Sequence, residues 1–157
     1  MKTQAMRMLD TLGVAYQVRE YPVDEDRLDA VYVAEAIGLP VQSVFKSLVV
    51  SGESKRPVVA LIPGDAQLDI KRLGKLVGQK RMSLVPVSRL PEITGYVRGG
   101  VSPLATKHRF PVCIHETVLD LPQVSISAGK RGGQILLRGQ DLVAATNATV
   151  AYLVEDG

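Results

Sequence analysis

Two neighbouring apolar segments constrain this chain more than any other feature. The segments "SVFKSLVV" (residues 43–50) and "PVVALIP" (57–63) are rich in β-branched residues, and the polar stretch "SGESKR" between them is typical of a turn. The pattern predicts a β-hairpin in the core of a sheet. One lysine, Lys46, interrupts the first strand, on the face that it shares with Val44, Leu48 and Val50.

Lys46 is unusual because both faces of its strand are mostly apolar. A strand buried on both sides has this pattern, and an ammonium group there is costly unless an ion partner, carbonyl groups or an anionic ligand compensates it. The alternative is a lysine at the edge of the strand, whose side chain extends to solvent. The pattern alone leaves both interpretations open.

Helical and extended segments alternate along the chain. The predicted helices lie between the cap Thr3 and Gly13, and near residues 29–37, 70–77, 87–94 and 139–146. Besides the hairpin, strands are predicted near residues 14–21, 82–85, 95–98, 111–115, 123–127, 133–137 and 149–154. Since several strands follow one another through short turns, we predict an α/β (α+β) fold with a mixed, largely antiparallel sheet, curved or barrel-like, surrounded by helices.

Periodicity also predicts which side chains face the core. In the first helix these are Ala5, Met8, Leu9 and Leu12, and in the first strand Val14, Tyr16 and Val18. For the helix over 70–77, the pattern predicts an N-cap at Asp69, an end at Gly78, and inward-facing Leu73, Leu76 and Val77.

Length and composition define the class of protein. The chain has 157 residues, which is most simply one domain (1–157), and its 46% hydrophobic and 22% charged residues exclude the composition of a disordered protein. The single cysteine, Cys113, excludes an internal disulfide framework and fits a reducing cytoplasm. No apolar run approaches the roughly 18 residues of a membrane span, so we expect a cytoplasmic protein with no membrane partner.

Two glycine-containing segments are candidates for ligand contact. In "TGYVRGGVSPLATKHRFP" (94–111), the pair Gly99-Gly100 would let the backbone approach a ligand and expose amides that polarise a carbonyl; an ordinary tight turn is the alternative. The segment "SISAGKRGG" (125–133) lacks the spacing of a phosphate-binding loop. It is predicted to be a hairpin turn that leaves Lys130 and Arg131 free to meet a phosphate backbone.

Conventional catalytic groups are few. The two histidines are His108 and His115, and Cys113 would share a strand face with His115; these form neither a triad nor a closed zinc site, and core packing is the better interpretation of Cys113. We therefore expect no metal site and no cofactor. A hydrolase with this inventory needs a substrate that brings much of its own chemistry.

Three segments in this order show a family resemblance. "SVFKSLVV" with "VVALIPGDAQLDIKRLGKLVG", then "TGYVRGGVSPLATKHRFPVCIHET", then "SISAGKRGGQILLRGQDLV" resemble the YbaK family of bacterial aminoacyl-tRNA deacylases, which are relatives of the editing domain inserted in prolyl-tRNA synthetase. The resemblance covers nearly the whole chain. Within the family, the chain is similar to the free-standing Cys-tRNA(Pro) deacylases.

The resemblance implies a partial barrel with a surface cleft and assigns roles to particular residues. The family's site lysine corresponds to Lys46, and an active-site aromatic corresponds to Tyr21. The implied substrate-binding residues include the Gly-x-x-x-Pro motif, and they are Tyr21, Gly99, Gly100, Val101, Ser102, Pro103, Ser127 and Gln134. Gln134 departs from the pattern, since this branch often has an acidic residue there, and the departure leaves the rate and the amino-acid preference open.

The implied activity is trans-editing, the cleavage of the aminoacyl ester of mischarged Cys-tRNA(Pro) by attack of the cysteine thiol on its own carbonyl. The implied partners are the acceptor end of tRNA(Pro) and prolyl-tRNA synthetase. Positive side chains are candidates for contact with tRNA: Lys71, Arg72, Lys75, Lys107, Arg109, Lys130 and Arg131. The alternatives are a deacylase for alanine or another small amino acid, and a non-catalytic module that binds aminoacyl-tRNA or the synthetase.

Overall fold

The computed structural model describes residues 1–156, which contain five α-helices and eight β-strands. The helices are α1 Gln4–Leu12, α2 Ala30–Ile37, α3 Ile70–Val77, α4 Leu90–Thr94 and α5 Gly139–Thr146. The strands are β1 Gln17–Glu20, β2 Phe45–Ser51, β3 Val58–Pro63, β4 Ser83–Leu84, β5 Val112–His115, β6 Val124–Ser127, β7 Gly133–Leu137 and β8 Thr149–Ala151. No helix in this part of the chain is long and apolar enough to cross a membrane.

The strands form two connected sheets. A five-stranded sheet has the order β4-β2-β3-β5-β8, in which β3, β5 and β8 are parallel and the other pairs are antiparallel. A three-stranded antiparallel sheet has the order β1-β7-β6, and a bridge between Val44 and Ser125 links β6 to the start of β2. The prediction of a mixed, largely antiparallel sheet with surrounding helices is confirmed.

The predicted hairpin of β2 and β3 is the centre of the fold. Its register runs from Phe45 opposite Pro63 to Val50 opposite Val58, and every residue of β3 is buried. Side chains on one face join a main core between the sheets, α1 and α5; those on the other face join a second core beneath α3. Alternation along the strands therefore divides the interior into two layers.

The predicted helix ends are also confirmed. Thr3, Asp29 and Asp69 each accept a backbone hydrogen bond from the first turn of α1, α2 and α3. Each of these helices ends at a glycine in the left-handed conformation, which has little steric cost without a Cβ.

Three residues predicted to face the core are exposed instead. Leu12 is 52% exposed because the buried face of α1 is formed by Ala5, Met6 and Leu9. Leu76 is 42% exposed, since α3 packs through Leu73 and Gly74, whose missing side chain admits the carbonyl of Gln79. Val18 is 39% exposed because β1 is an edge strand that pairs only with β7.

Three strand predictions are wrong in extent or kind. The first strand begins at Gln17 rather than near residue 14, because the Val14 amide still donates to the Leu9 carbonyl at the end of α1. Residues 95–98 are not a strand: Gly95 ends α4 with φ +83°, and the Tyr96 hydroxyl donates to the carbonyl of Leu104 at 2.5 Å, which folds Tyr96 back onto its own loop. β8 ends at Ala151 rather than near residue 154. The chain turns there, because the Leu153 amide donates to the His115 ring and Val154 pairs with Leu68.

Candidate active site

A cavity of about 510 Å³ lies beside β2, where the two sheets diverge. Its walls come from β2, the start of α2, the segment 84–90, the loop after Tyr96, and the ends of β6 and β7. Most of the surface is apolar, with Phe45 and Val49 on one side and Leu84, Val87 and Leu90 on another. An apolar cavity with a few polar groups is the usual form of a small-ligand site.

Lys46 lies in the wall of this cavity near the start of β2. Its backbone pairs with Ile62 of β3, and its Nζ donates to the carbonyl of Gly64 at 3.2 Å. The side chain is partly buried, so Lys46 is neither fully enclosed in the core nor extended into solvent. The Gly64 carbonyl compensates its ammonium, and the cavity leaves that ammonium accessible. This is the geometry of a cation that can bind an incoming anion or ester oxygen.

Gly64 explains how the carbonyl reaches Lys46. A Cβ at this position would lie 2.7 Å from the Ala30 side chain and 2.9 Å from the Val44 carbonyl, so only glycine fits between β3 and α2. Burial lowers the pKa of the Lys46 ammonium, and the nearby carboxylates of Asp65 and Asp29 oppose that shift.

The loop around Gly99 forms the opposite wall. Gly99 has φ +85°, and Gly99 and Val101 both line the cavity. The Gly100 amide is already used, since it donates to the Val97 carbonyl at 2.9 Å. Within residues 1–156, the amides of Gly99 and Val101 have no hydrogen-bond acceptor, and both residues line the cavity, whereas Ser102 is fully buried outside the lining. Two amides of the loop, those of Gly99 and Val101, are therefore candidates to donate to a ligand, and the Gly100 amide is not.

Gly100 has a different role, in packing. A Cβ there would lie 3.0 Å from Lys130 Cα and 3.1 Å from the Arg131 amide nitrogen. The side chain of Arg131 also donates from Nε to the Arg98 carbonyl at 2.8 Å. The loop thus lies directly on the turn between β6 and β7, which holds its amides in place beside the cavity.

The third wall has polar groups from paired strands. Ser127 and Gln134 are opposite each other in β6 and β7, and both line the cavity. The buried Gln134 Oε1 accepts from the Ser125 hydroxyl at 2.7 Å, while Ser127 Oγ accepts from the Gly129 amide at 3.1 Å. On β2, the buried Ser47 hydroxyl has no hydrogen-bond partner among the described residues. These neutral groups add no charge to that of Lys46.

The structure thus brings Lys46, Gly99, Val101, Ser127 and Gln134 together around one cavity. The other predicted substrate-binding residues lie outside its lining. Tyr21 packs edge-on against Tyr32 at a ring distance of 6.3 Å. Ser102 and Pro103 are buried behind the loop, where Ser102 Oγ accepts from the Leu104 amide.

The predicted tRNA-binding cations fall on several surfaces. Lys71 and Lys75 are exposed on α3, whereas Arg72 is engaged with Asp69 and with the ring of Tyr152. Lys107 and Arg109 are exposed in the loop before β5. Lys130 and Arg131, which lie on the turn beneath Gly100, are next to the cavity.

Sequence reasoning missed Arg98 and the apolar wall. Arg98 lines the cavity as a second cation next to the glycine pair, in a segment that the sequence had assigned to a strand. The elements that carry Leu84, Val87 and Leu90 were predicted near 82–85 and 87–94, but they are too short for periodicity to show which side chains face a cavity. No three His, Cys, Asp or Glu side chains of residues 1–156 are grouped as a metal site.

The fold and the cavity match one class of protein. A profile described as aminoacyl-tRNA editing domain matches residues 24–145, and the chain belongs to this family. The match includes β2, the glycine loop, and both strands that carry Ser127 and Gln134.

Individual relatives and a solved structure are consistent with this family. The chain is 41% identical over 152 residues to EbsC of Enterococcus faecalis, described as a Cys-tRNA(Pro)/Cys-tRNA(Cys) deacylase, with 97% of this chain and 93% of that protein covered. It is 30% identical over 98 residues to a proline–tRNA ligase of Lactobacillus helveticus, covering 62% of this chain and 17% of the ligase. A solved structure described as a trans-editing enzyme for prolyl tRNA synthetase superposes with a TM-score of 0.86 at 29% identity and covers 99% of both chains.

Proposed function

We propose that the protein, acting as one domain, is a trans-editing deacylase that removes cysteine from mischarged Cys-tRNA(Pro). Membership of the aminoacyl-tRNA editing family and the similarity to EbsC support the activity and the substrate. The observation that most favours the mechanism is the cavity itself: among the described residues its lining has a lysine and open amides but no cysteine and no histidine, and its one carboxylate, Asp29, already accepts from the Tyr32 amide at 3.1 Å. A site of this kind binds and polarises an ester without supplying the usual nucleophile and base.

The nucleophile in this proposal is the thiol of the substrate. Its sulfur attacks the ester carbonyl carbon and forms a C–S bond. The bond from that carbon to the ribose oxygen breaks, and the ribose oxygen takes up the proton that the thiol has lost. The products are a cyclic thiolactone and tRNA with a free terminal hydroxyl. Orientation alone can contribute roughly 7–11 kcal/mol to such an intramolecular reaction.

The residues of the cavity position this reaction. Lys46 binds an oxygen of the terminal ribose or phosphate and fixes the ester against β2. The amides of Gly99 and Val101, which line the cavity, donate to the carbonyl oxygen as it gains negative charge, at about 3 kcal/mol per donor in other enzymes. Gln134 and Ser127 supply neutral hydrogen-bonding groups to the aminoacyl end, and the apolar wall excludes water.

The recognition of the rest of the tRNA is part of the same proposal. The cavity holds only the aminoacyl end, so the choice of tRNA(Pro) needs further contacts, and prolyl-tRNA synthetase is the proposed partner that supplies them. Aminoacyl-tRNA is made and used in the cytoplasm, and we propose that compartment for the protein.

The test compares tRNA(Pro) charged with cysteine, 2-aminobutyrate, alanine or proline. Cysteine and 2-aminobutyrate differ mainly by a thiol in place of a methyl group, so they report on the thiol at nearly constant shape. We expect rapid loss of cysteine, release of a thiolactone, and background rates for the other three. Equal loss of cysteine and 2-aminobutyrate would disprove thiol attack, loss of alanine would indicate the alternative specificity, and no turnover would favour a binding module.

A further inference from the structure

A second cavity, of about 550 Å³, lies at the edge of the five-stranded sheet. We call it the basic groove, and it is lined by Ser51, Gly52, Glu53, Lys55, Pro57, Arg81, Ser83, Arg89 and Ile93. Three of these residues are cations and one is an anion. Arg56 and Lys80 are exposed in the same two turns. The local charge is therefore more positive than the chain's average, since the whole protein has a formal net charge of only +3.

The backbone of the basic groove is unusual at its cations. Lys55 has φ +53° and Arg81 has φ +56°, and these are two of four non-glycine residues with positive φ in the described chain. The left-handed conformation costs a residue with a Cβ about 1 kcal/mol or more, and glycine or asparagine would adopt it more readily. Strain of this kind persists where surrounding structure enforces it, and it is concentrated at functional sites.

Buried contacts enforce this geometry. The buried side chain of Gln79 accepts from the Gly52 amide at 3.1 Å and donates to the Arg56 carbonyl at 2.8 Å. The Glu53 amide donates to the Lys80 carbonyl at 2.9 Å, and a Cβ on Gly52 would lie 2.5 Å from the same oxygen. The two basic turns, before β3 and before β4, are thus locked together as one rigid platform.

The basic groove is adjacent to the candidate active site. Leu84 and Leu90 line the first cavity, while their neighbours Ser83 and Arg89 line the groove. The same short segment therefore forms one wall of each cavity. A ligand whose end occupies the first cavity can extend across β4 into the second.

We propose that the basic groove binds the backbone phosphates of the tRNA acceptor stem. This inference rests on the proposed function, since it takes the ligand in the first cavity to be the aminoacyl end of a tRNA. Arginine, lysine and serine hydroxyls are typical phosphate contacts. Two of the groove cations are in exposed ion pairs, Arg81 with Glu53 at 3.6 Å and Arg89 with Glu92 at 2.7 Å. Exposed pairs of this kind contribute little, so they compete weakly with a phosphate.

A protein partner fits the basic groove less well. The core of a protein interface is depleted in charged residues, whereas four of the nine residues that line the groove are charged. The groove also differs from the surface of α3, where Lys71 and Lys75 are exposed on a regular helix and line neither of the two cavities.

The test compares two double variants, one that removes two charges from the groove and one that removes two charges from α3. The variant Lys55→Asn/Arg81→Asn keeps side chains that tolerate positive φ, and Lys71→Gln/Lys75→Gln is the matched control. Binding of uncharged tRNA is measured at several salt concentrations. We expect the groove variant to lower the slope of log K against log salt by about two, and to weaken binding at low salt by on the order of tenfold or more. The α3 control should change both much less.

Kinetics separate the basic groove from the chemistry. The groove variant should raise KM for full-length aminoacyl-tRNA and leave turnover of an aminoacylated CCA trinucleotide unchanged. Arg89→Gln, which leaves both strained turns intact, should show a smaller loss of the same kind. Equal effects of the groove and α3 variants, or a loss seen only when prolyl-tRNA synthetase is present, would overturn the proposal. Absence of turnover by the wild type would reject the proposed function, while the salt slopes would still test the groove.

Discussion

Lys46 combines two properties that a buried strand rarely allows in one residue. Its side chain is removed from water far enough to lower its pKa, yet its ammonium has only one neutral acceptor, the carbonyl of Gly64, within hydrogen-bonding distance. The carboxylates of Asp29 and Asp65 act on it through space rather than by contact. An ammonium with remaining donors in an apolar cavity is prepared to bind a ligand oxygen.

Replacement of Lys46 tests this role. We expect Lys46→Ala to lower kcat/KM for Cys-tRNA(Pro) by on the order of 100-fold, because a charged donor to the substrate is lost in a largely dry site. The midpoint of urea unfolding should change little, since no salt bridge involves Lys46. Steady-state deacylation and urea titration of the same preparations provide both measurements.

Two variants distinguish charge from shape at this position. Lys46→Met retains most of the side-chain volume and should be as inactive as Lys46→Ala, whereas Lys46→Arg retains the charge and should recover part of the activity. Full activity of Lys46→Met would show that the ammonium does not contact the substrate.

Sequence reasoning found Lys46 for a physical reason: a charge in an apolar strand is a local anomaly. Gln134 and Ser127 were assigned through the resemblance, and the register of β6 with β7 explains their common location. Arg98 gave no such signal, because an arginine in a polar loop is ordinary until the fold turns it toward a cavity.

At the scale of elements, the loop from Arg98 to Pro103 is positioned by the turn between β6 and β7. The two glycines have different roles. Gly99 adopts the left-handed backbone conformation at the cavity wall, and Gly100 allows close contact with the backbone of Lys130. The geometry of the amides in this loop therefore depends on another element, distant in sequence.

Gly100→Ala should separate this positioning from overall stability. The added Cβ meets backbone atoms, which cannot move aside as a flexible side chain would, so the loop must shift by a few tenths of an ångström. We expect kcat/KM to fall by about tenfold or more, at a stability cost of about 1–3 kcal/mol. Deacylation kinetics and thermal unfolding report the two effects.

A matched control has a similar stability cost far from the site. Gly13 ends α1 with φ +71° and open space around a Cβ, so Gly13→Ala strains only the backbone. It should lower the melting temperature and leave kcat/KM unchanged below the transition. If the two variants affected activity equally, loss of stability rather than displacement of the loop would explain Gly100→Ala.

Elements with local signals were predictable, and those defined by tertiary contacts were not. The caps at Thr3 and Asp69 mark helix starts through their own hydrogen bonds, so the sequence located them. Residues 95–98 have strand-like composition, but a hydrogen bond from Tyr96 to Leu104 folds them into a loop. The exposure of Val18 follows from the position of β1 at a sheet edge, which alternation alone does not reveal.

At the scale of the whole molecule, the candidate active-site cavity results from the way two sheets meet. They are bridged at Val44 and Ser125 and diverge beyond that point, which leaves one side of β2 without a strand partner until Val50 pairs with Leu84 of β4. The gap between them is the cavity. Its walls therefore depend on the packing of both sheets, and the fold must remain intact for any of the proposed chemistry.

The global stability of this fold should depend on pH through His115. This buried residue ends β5, and its Nδ1 accepts a hydrogen bond from the Leu153 amide at 3.1 Å, which ties the C-terminal segment to the sheet. Burial lowers the pKa of the His115 ring, and Glu116 opposes the shift only in part. The unfolded chain, with an ordinary pKa of about 6.5, therefore binds a proton more readily than the folded chain. The contribution to stability is fully present above that value and is lost as the pH falls through the lowered pKa of the folded state. We expect the midpoint of urea unfolding to decrease between pH 7.5 and pH 5, and the decrease to be smaller in His115→Gln, which cannot titrate. An identical pH dependence in both proteins would assign the effect to other groups.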